Sequence, residues 1–395
     1  MTIAVLLMPE VSEFNGEIMA GTERAMIYDL KILRKHKIDF SVYSCAKMEK
    51  KYAEKYHFKY IYYPGFLNTL LLSKFPAVID SKIKRLTTFF QLLFLNFYVL
   101  QFGILARRET LWCSYSAPLL SIIAPRKTIN MYFSNFPMPF YSILKNRYKK
   151  ARYLFVSKFL REEVTSKFKA TCINSSIMKA CVDTSIFSLK NTKTKTAYPT
   201  FAFTGAWLKI KGVFTYLELL KKLHDNNNKF SALLIGSADL WRVGYSRDYV
   251  SNIDVGITNF AKNIPELKII GAVNFKQLSI IYDSVDYLVC PSNWGEPAPL
   301  SCLEAMACGI GILGYKDGGI PEEVVEGKTG YLVQTGNSHN LYRLMVKVCN
   351  GKLPRLNPRI VRRHIIKHYS LSIREEQLLN YLKKTEKVNL NKWIV

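Results

Sequence analysis

The sequence predicts an α/β protein built from two Rossmann-like domains, and three observations carry that prediction. Strand-length apolar runs alternate with helix-length amphipathic stretches along most of the chain, which is the pattern of parallel βαβ units. At roughly 100–200 residues per domain, the 395 residues give two domains as the prior expectation. Near the middle, the polar stretch Lys190-Asn191-Thr192-Lys193-Thr194-Lys195-Thr196 interrupts the apolar periodicity and reads as a linker.

The strands follow from the apolar runs. In the first half they are expected at Thr2–Met8, Asp39–Ser44, Tyr60–Tyr63, Leu111–Ser114, Thr128–Ser134 and Tyr153–Val156. In the second half they fall at Thr200–Thr204, Ser231–Ile235, Lys268–Ile270, Asp286–Cys290, Gly311–Gly314 and Tyr331–Val333. An amphipathic helix is expected over Arg24–Lys35, opened by a loop ending in Gly21, and another over Ile373–Lys384, apolar at Ile373, Leu378, Leu379 and Leu382. The expected division is residues 1–190 as an N-terminal domain, 191–198 as the linker, 199–368 as a C-terminal domain, and 369–395 as a terminal helix. No internal repeat is evident.

Composition excludes several classes. With 49% hydrophobic and 13% aromatic residues the chain buries a large core and is no disordered basic tail. The formal charge of +26 is polarised: residues 1–200 hold 31 basic and 13 acidic side chains, 201–350 hold 14 of each, and 351–395 hold 11 and 3. The partner of the basic surface is therefore expected to avoid the neutral central segment. Thr2–Met8 has no basic flank and reads as a buried strand rather than a signal peptide. The 8 cysteines are scattered, without C-x-x-C pairs, which fits a reduced, cytoplasmic setting. Leu86–Ala106 is a mostly apolar stretch bracketed by Lys82, Lys84, Arg85 and by Arg107, Arg108. It suits a core helix, an interfacial helix or a span, and the gathering of Thr87, Thr88, Gln91, Tyr98 and Gln101 in one sector favours the first two.

The chemistry concentrates in Pro291-Ser292-Asn293-Trp294-Gly295-Glu296-Pro297-Ala298-Pro299-Leu300-Ser301-Cys302-Leu303-Glu304, which follows the strand ending at Cys290. Open α/β sheets place ligands at such carboxyl ends. Pro297 keeps Glu296 out of a helix, so that carboxylate sits on an extended loop. Pro299 suits the start of a helix, whose first amides, those of Leu300 and Ser301, favour an anion such as phosphate. Glu304 stands about one turn further on. Two carboxylates thus flank an anion site, an arrangement suited to binding sugar hydroxyls and stabilising an oxocarbenium-like centre. Taken singly, each is equally an ordinary loop or first-turn acid.

Here the sequence resembles the retaining GT-B glycosyltransferases of family four, which carry an E-x7-E motif followed by the helix pattern LEAMACG. Glu296 and Glu304 match both glutamates, and the resemblance continues through Asp317-Gly318-Gly319-Ile320-Pro321-Glu322, Gly327–Val333, Phe203–Gly212, and Val182-Asp183 with Phe187. It implies two Rossmann-like domains facing across a cleft, with the last helix returning to the first domain. It implies also that Glu296 faces the reacting carbon of the transferred sugar and that Glu304 binds the nucleotide ribose. Lys211 would grip the diphosphate, with Gly205 and Lys209 beside it, Val273 and Asn274 at the base, and Gly21 approaching from the acceptor side. Three departures stand out. Ala206 occupies the family's arginine position, Ala298-Pro299 replace its Phe-Gly, and no histidine occurs between His57 and His224, leaving Tyr132, Ser134 or Asn135 in that place.

The expected function is transfer of a sugar with retention from a nucleotide sugar, UDP- or GDP-linked, to a glycan or lipid-linked acceptor. The absence of any D-x-D sequence leads to an expectation of no metal and no cofactor. The basic half is expected to meet an anionic membrane surface from the cytoplasmic side, and nucleic acid is not expected as a partner. A protein that binds the donor without turnover is the alternative, and a basic nucleic-acid-binding protein is a more distant one.

Overall fold

The structure, a computed structural model, describes residues 2–6, 13–14, 21–44, 47–48, 54, 56–61, 97–113, 118–132, 146, 148–167, 174–190, 197–240 and 247–390. The chain divides into two compact units: unit 1 gathers residues up to 179 and from 374 onward, and unit 2 holds 180–241 and 247–373.

Unit 1 contains a seven-stranded sheet in the order β5-β3-β1-β6-β7-β8-β9, parallel throughout. Its strands are β1 (Ile3–Leu6), β3 (Phe40–Ser44), β5 (Phe58–Tyr60), β6 (Thr110–Cys113), β7 (Thr128–Tyr132), β8 (Arg152–Phe155) and β9 (Asn174–Ile177), while β2 (Glu13–Phe14) and β4 (Lys47–Met48) pair separately. The helices α1 (Gly21–Lys35), α2 (Pro118–Ile123) and α3 (Lys158–Lys167) come from the same unit. β1 and β6 are buried on both faces, which is why their sequences are continuous apolar runs rather than alternating ones.

Unit 2 repeats the plan with six parallel strands ordered β12-β11-β10-β13-β14-β15. In chain order these are β10 (Thr200–Ala206), α4 (Val213–Asp225), β11 (Ser231–Ser237), α5 (Arg247–Ala261), β12 (Leu267–Gly271), α6 (Phe275–Ile281), β13 (Tyr287–Cys290), α7 (Leu300–Ala307), β14 (Gly311–Tyr315), α8 (Ile320–Glu323), β15 (Gly330–Val333), α9 (Ser338–Cys349) and α10 (Pro358–Tyr369). One face packs around Phe201, Phe203, Leu220 and Leu313, and the other around Leu288, Cys302, Met306 and Ile312. Strand order reverses between β10 and β13, so the crevice at the carboxyl ends of these two strands is the switch point where ligands of such sheets bind.

Every expected strand has an observed counterpart. β9 was not anticipated, because Asn174-Ser175-Ser176-Ile177 is a half-exposed edge strand without an apolar run. The division between units also differs from the expected one. Residues 180–190 join unit 2, since Val182 N–H donates to Tyr369 O (2.9 Å), Phe187 is fully buried, and Arg362 donates to the carbonyls of Thr184, Phe187 and Ala307. The expected linker residues 191–196 lie outside the described residues, as do residues 86–96 of the apolar stretch. The remainder of that stretch is helical over 97–105, with Tyr98, Val99 and Phe102 buried and Phe97, Ile104 and Leu105 exposed. Among the described residues no helix is long and apolar enough to cross a membrane.

α11 (Leu371–Leu390) starts in unit 2 and from Arg374 belongs to unit 1, anchored by one buried pair. Arg374 grips both carboxylate oxygens of Asp29 on α1 (2.8 and 2.7 Å) and spends its remaining nitrogen on the carbonyls of Met178 and Lys179. Both side chains are 2% exposed, so each charge depends on the other for solvation. One turn of α11 also ties to the end of α1: Lys35 and His36 both reach Glu375, and these hydrogen bonds, Lys35 first, hold its carboxyl below the ordinary range. Asp29→Ala strands the guanidinium and is expected to lower stability by about 3–5 kcal/mol, measured by urea denaturation of the full chain. A loss under 1 kcal/mol would show that water replaces the pair.

Candidate active site in the C-terminal unit

The site is assembled by the segments that leave β10 and β13. After β10, Lys209–Lys211 form a single 3-10 turn closed by Gly212 at φ +83°. A side chain at Gly212 would overlap the Pro291 carbonyl, so glycine lets the turn lie directly against the segment following β13. Asn293 N–H (3.1 Å) and Ser292 Oγ (3.3 Å) bond to Ile210 O and lock the two segments together.

That contact brings Lys211 to Glu296. Lys211 Nζ lies 2.7 Å from Oε1 and 2.6 Å from Oε2, and the ammonium sits 4.8 Å from the centroid of the Trp294 ring. Trp294 Nε1 donates to Glu296 Oε2 (2.7 Å), and Ser292 Oγ reaches the same oxygen (3.1 Å). Glu296 is 7% exposed, a burial a carboxylate tolerates only when paired and hydrogen-bonded. Its backbone is held equally firmly. Asp317 Oδ2 accepts from the amides of Gly295 (2.9 Å) and Glu296 (3.0 Å), and Gly319 N–H donates to Glu296 O (2.7 Å). Gly318, at φ +55°, passes so close to the Glu296 backbone that a β-carbon there would collide with it.

Beyond the loop, Pro299 caps α7 in an extended conformation and takes the first helical bonds on its carbonyl. The amides of Leu300 and Ser301 therefore stand in the first turn, where a helix has no carbonyl of its own to offer them. Glu304 follows on the inward face of α7, 3% exposed. Its charge reaches Tyr282, whose phenol is pushed well up by burial and then by Glu304, and which donates to Thr204 Oγ1 on β10 (3.2 Å).

The other expected residues fall in varied surroundings. Gly205, next to last in β10, stands at φ +138° beside Gly236 of β11, with open space where its side chain would be. Ala206, in the place of the family's arginine, is buried, and Lys209 is exposed on the 3-10 turn. Val273 packs partly on the core, and the Asn274 side chain caps α6 through Gln277 N–H (3.0 Å), with Gln277 returning the bond, so that side chain is engaged in the helix start. Gly21 begins α1 in unit 1, and the loop of residues 15–20 before it lies outside the described residues, as do Ser134 and Asn135. Trp294, Ser292 and Asp317 are the contributors not anticipated. Among the described residues no group of three or more His, Cys, Asp or Glu is placed to hold a metal ion.

Comparison with known proteins bears on the family and the fold. Residues 186–363 match the model of the family Glycosyl transferases group 1. Over 131 residues the chain is 30% identical to Spore coat protein SA of Bacillus subtilis, covering 33% of this chain and 34% of that protein. The chain thus aligns with about a third of that curated relative's length. In structure it superimposes on a glycosyltransferase from Rickettsia africae with a TM-score of 0.72 at 18% identity, covering 98% of both chains. It superimposes likewise on Anabaena Alr3699/HepE in complex with UDP and glucose, with a TM-score of 0.68 at 15% identity over 96% of this chain and 99% of the other. Residues 186–363 therefore form a domain of the Glycosyl transferases group 1 family, and the fold of the chain is GT-B.

Proposed function

We propose that this protein is a retaining glycosyltransferase that takes a UDP- or GDP-linked sugar in unit 2 and transfers it to a glycan or lipid-linked acceptor. The observation that carries this reading is the pairing of Lys211 with Glu296 at the β10/β13 switch point, beside the amide-rich start of α7. A lysine and two helix amides are suited to a departing diphosphate. A buried carboxylate next to them is suited to positive charge at an anomeric carbon. The family match, and the UDP and glucose held by the Anabaena protein, support a nucleotide-sugar donor.

In this scheme Lys211 and the Leu300 and Ser301 amides receive the diphosphate, with Gly205 giving it close approach and Lys209 adding charge. Glu296 faces the sugar, Glu304 the ribose, and the Val273-Asn274 loop the base. Gly21 approaches the donor from the acceptor side. Burial of Ala206 favours one competing reading, a donor-binding protein without turnover, because the position offers no second cation. Both readings are separated by one set of measurements. UDP or GDP is expected to raise the melting temperature, by an amount equivalent to about 2.7 kcal/mol at 100 times its Kd. Glu296→Gln is expected to keep that shift while nucleotide release from the sugar donor falls by about 10³-fold or more, the scale of lost transition-state electrostatics. Full activity in the variant would remove Glu296 from the chemistry, and a wild type that binds but never turns over would favour the competing reading.

With lysine and helix amides doing the electrostatic work, no metal is needed, and wild-type turnover is expected to survive EDTA. Loss with EDTA and recovery with a divalent ion would overturn that.

The acceptor side is proposed to meet an anionic membrane surface, as a peripheral protein on the cytoplasmic face. Supporting this, Ile104 and Leu105 at the end of the 97–105 helix and Ile123 at the end of α2 are 62%, 58% and 51% exposed. The two helix ends adjoin: Lys127 Nζ donates to Arg107 O (2.8 Å), and Arg107, Arg108, Arg126 and Lys127 are all exposed around them. Apolar side chains ringed by cations suit lipid with anionic headgroups, at about 1 kcal/mol per nearby cation. The full chain is expected to pellet with phosphatidylglycerol vesicles at low salt, less with neutral ones, and less again as Ile104→Asp. Equal binding to neutral vesicles, insensitive to salt, would contradict it.

A further inference from the structure

The two oxygens of Glu296 are held unequally. Oε2 takes contacts from Lys211 Nζ, Trp294 Nε1 and Ser292 Oγ, whereas Oε1 meets Lys211 only, among the described residues. The three donors differ in what they can sustain. Lys211 is the cation that the donor diphosphate requires in the function proposed above, and one ammonium cannot sit 2.6 Å from a carboxylate and neutralise a diphosphate with the same charge. Ser292 has a single hydroxyl proton, and its Oγ lies within reach of both Ile210 O and Glu296 Oε2, so it serves one of them at a time. The Trp294 N–H is a donor at every pH, carries no charge, and has Glu296 as its acceptor at 2.7 Å.

We infer that Trp294 is a positioning residue: its indole N–H anchors Oε2 and leaves Oε1 to the transferred sugar when the donor draws Lys211 away. The inference rests on the donor assignment proposed above. The indole has a second use in the same step. Its face lies under the Lys211 ammonium, so the lysine moves toward the diphosphate along an aromatic surface that stabilises a cation. In the resting protein the Lys211–Glu296 pair neutralises the buried carboxylate with a half-buried ammonium. In the donor complex the diphosphate takes over Lys211, and Trp294, with Ser292, takes over Glu296.

Among the described residues, the titratable groups near Glu296 include Lys211 after β10, Asp317 after β14 and Cys302 on α7. Asp317 is occupied by the Gly295 and Glu296 amides. The Cys302 thiol is pushed up by its hydrogen bond with Cys290 and by burial, with the charges of Glu323 on α8 and of Glu296 adding to the effect. Trp294 itself does not titrate.

Trp294→Phe keeps an aromatic face under Lys211 and deletes only the N–H. In nucleotide release from UDP-glucose and GDP-mannose, kcat is expected to fall about 10- to 100-fold, the loss of one hydrogen bond to a charged group, with KM within about threefold. Glu296→Gln is run beside it. Full turnover in Glu296→Gln defeats the catalytic assignment itself, whereas an inactive Glu296→Gln with a Trp294→Phe matching wild type in kcat overturns the present inference alone. A structure of the full wild-type chain with UDP or GDP bound gives a readout that needs neither turnover nor a folded variant. The expected result has Lys211 on the diphosphate and Trp294 Nε1 still bonded to Glu296. Lys211 remaining on both carboxylate oxygens, or the indole turned away, overturns the inference.

Discussion

The arrangement of unit 2 hangs on one buried carboxylate. A charge as enclosed as Glu296 survives in a protein interior only where a cation and hydrogen-bond donors stand ready, and here they arrive from two segments, with a third behind the loop. Lys211 comes from the turn after β10, Trp294 and Ser292 from the segment after β13, and Asp317 from the turn after β14, bracing the loop from behind. Each turn follows a strand of the same parallel sheet, so the sheet's register sets the distances. Glycine at 212 and 318 is what allows the turns to close on one another without a side chain between.

The central segment, residues 201–350, is electrically neutral while the rest of the chain is strongly basic. Its ionisable groups include matched pairs and groups set against fixed dipoles: Lys211 with Glu296, Asp317 with two amides, His224 with Glu266. A general positive field would weaken discrimination at such a site, since any anion would be drawn in. Confining the excess to residues 1–200 and to the segment after 350 leaves the local geometry in charge.

Much of this was legible in the sequence, and the parts that were not share a cause. Continuous apolar runs such as Ile3–Leu6 and Tyr287–Cys290 announce strands buried on both faces, and Pro297 and Pro299 announce that Glu296 lies on an extended loop before a helix. β9 has no such signal, because an edge strand with polar side chains looks like a loop. The unit boundary was displaced to the polar run at 190–196, since local composition cannot show that Val182 bonds to Tyr369 and that Arg362 clasps residues 184 and 187. Trp294 and Ser292 stood in plain view within the motif, yet their roles depend on which way a loop folds over a neighbouring turn. Asn274 looked like a base contact by its place after β12, whereas its side chain is committed to starting α6.

The return of α11 to unit 1 has a consequence for how the molecule is made. Asp29 is synthesised early, but the guanidinium that neutralises it belongs to residue 374, separated from it by the whole of unit 2. Until Arg374 emerges from the ribosome, α1 cannot settle into its final place without leaving a buried carboxylate alone, so the first unit begun is the last to be completed. Unit 2 itself runs to residue 373, so it too is complete only as Arg374 emerges. A chain cut short before residue 374 would therefore lack the cation that Asp29 needs, and α1 would be left without its buried partner.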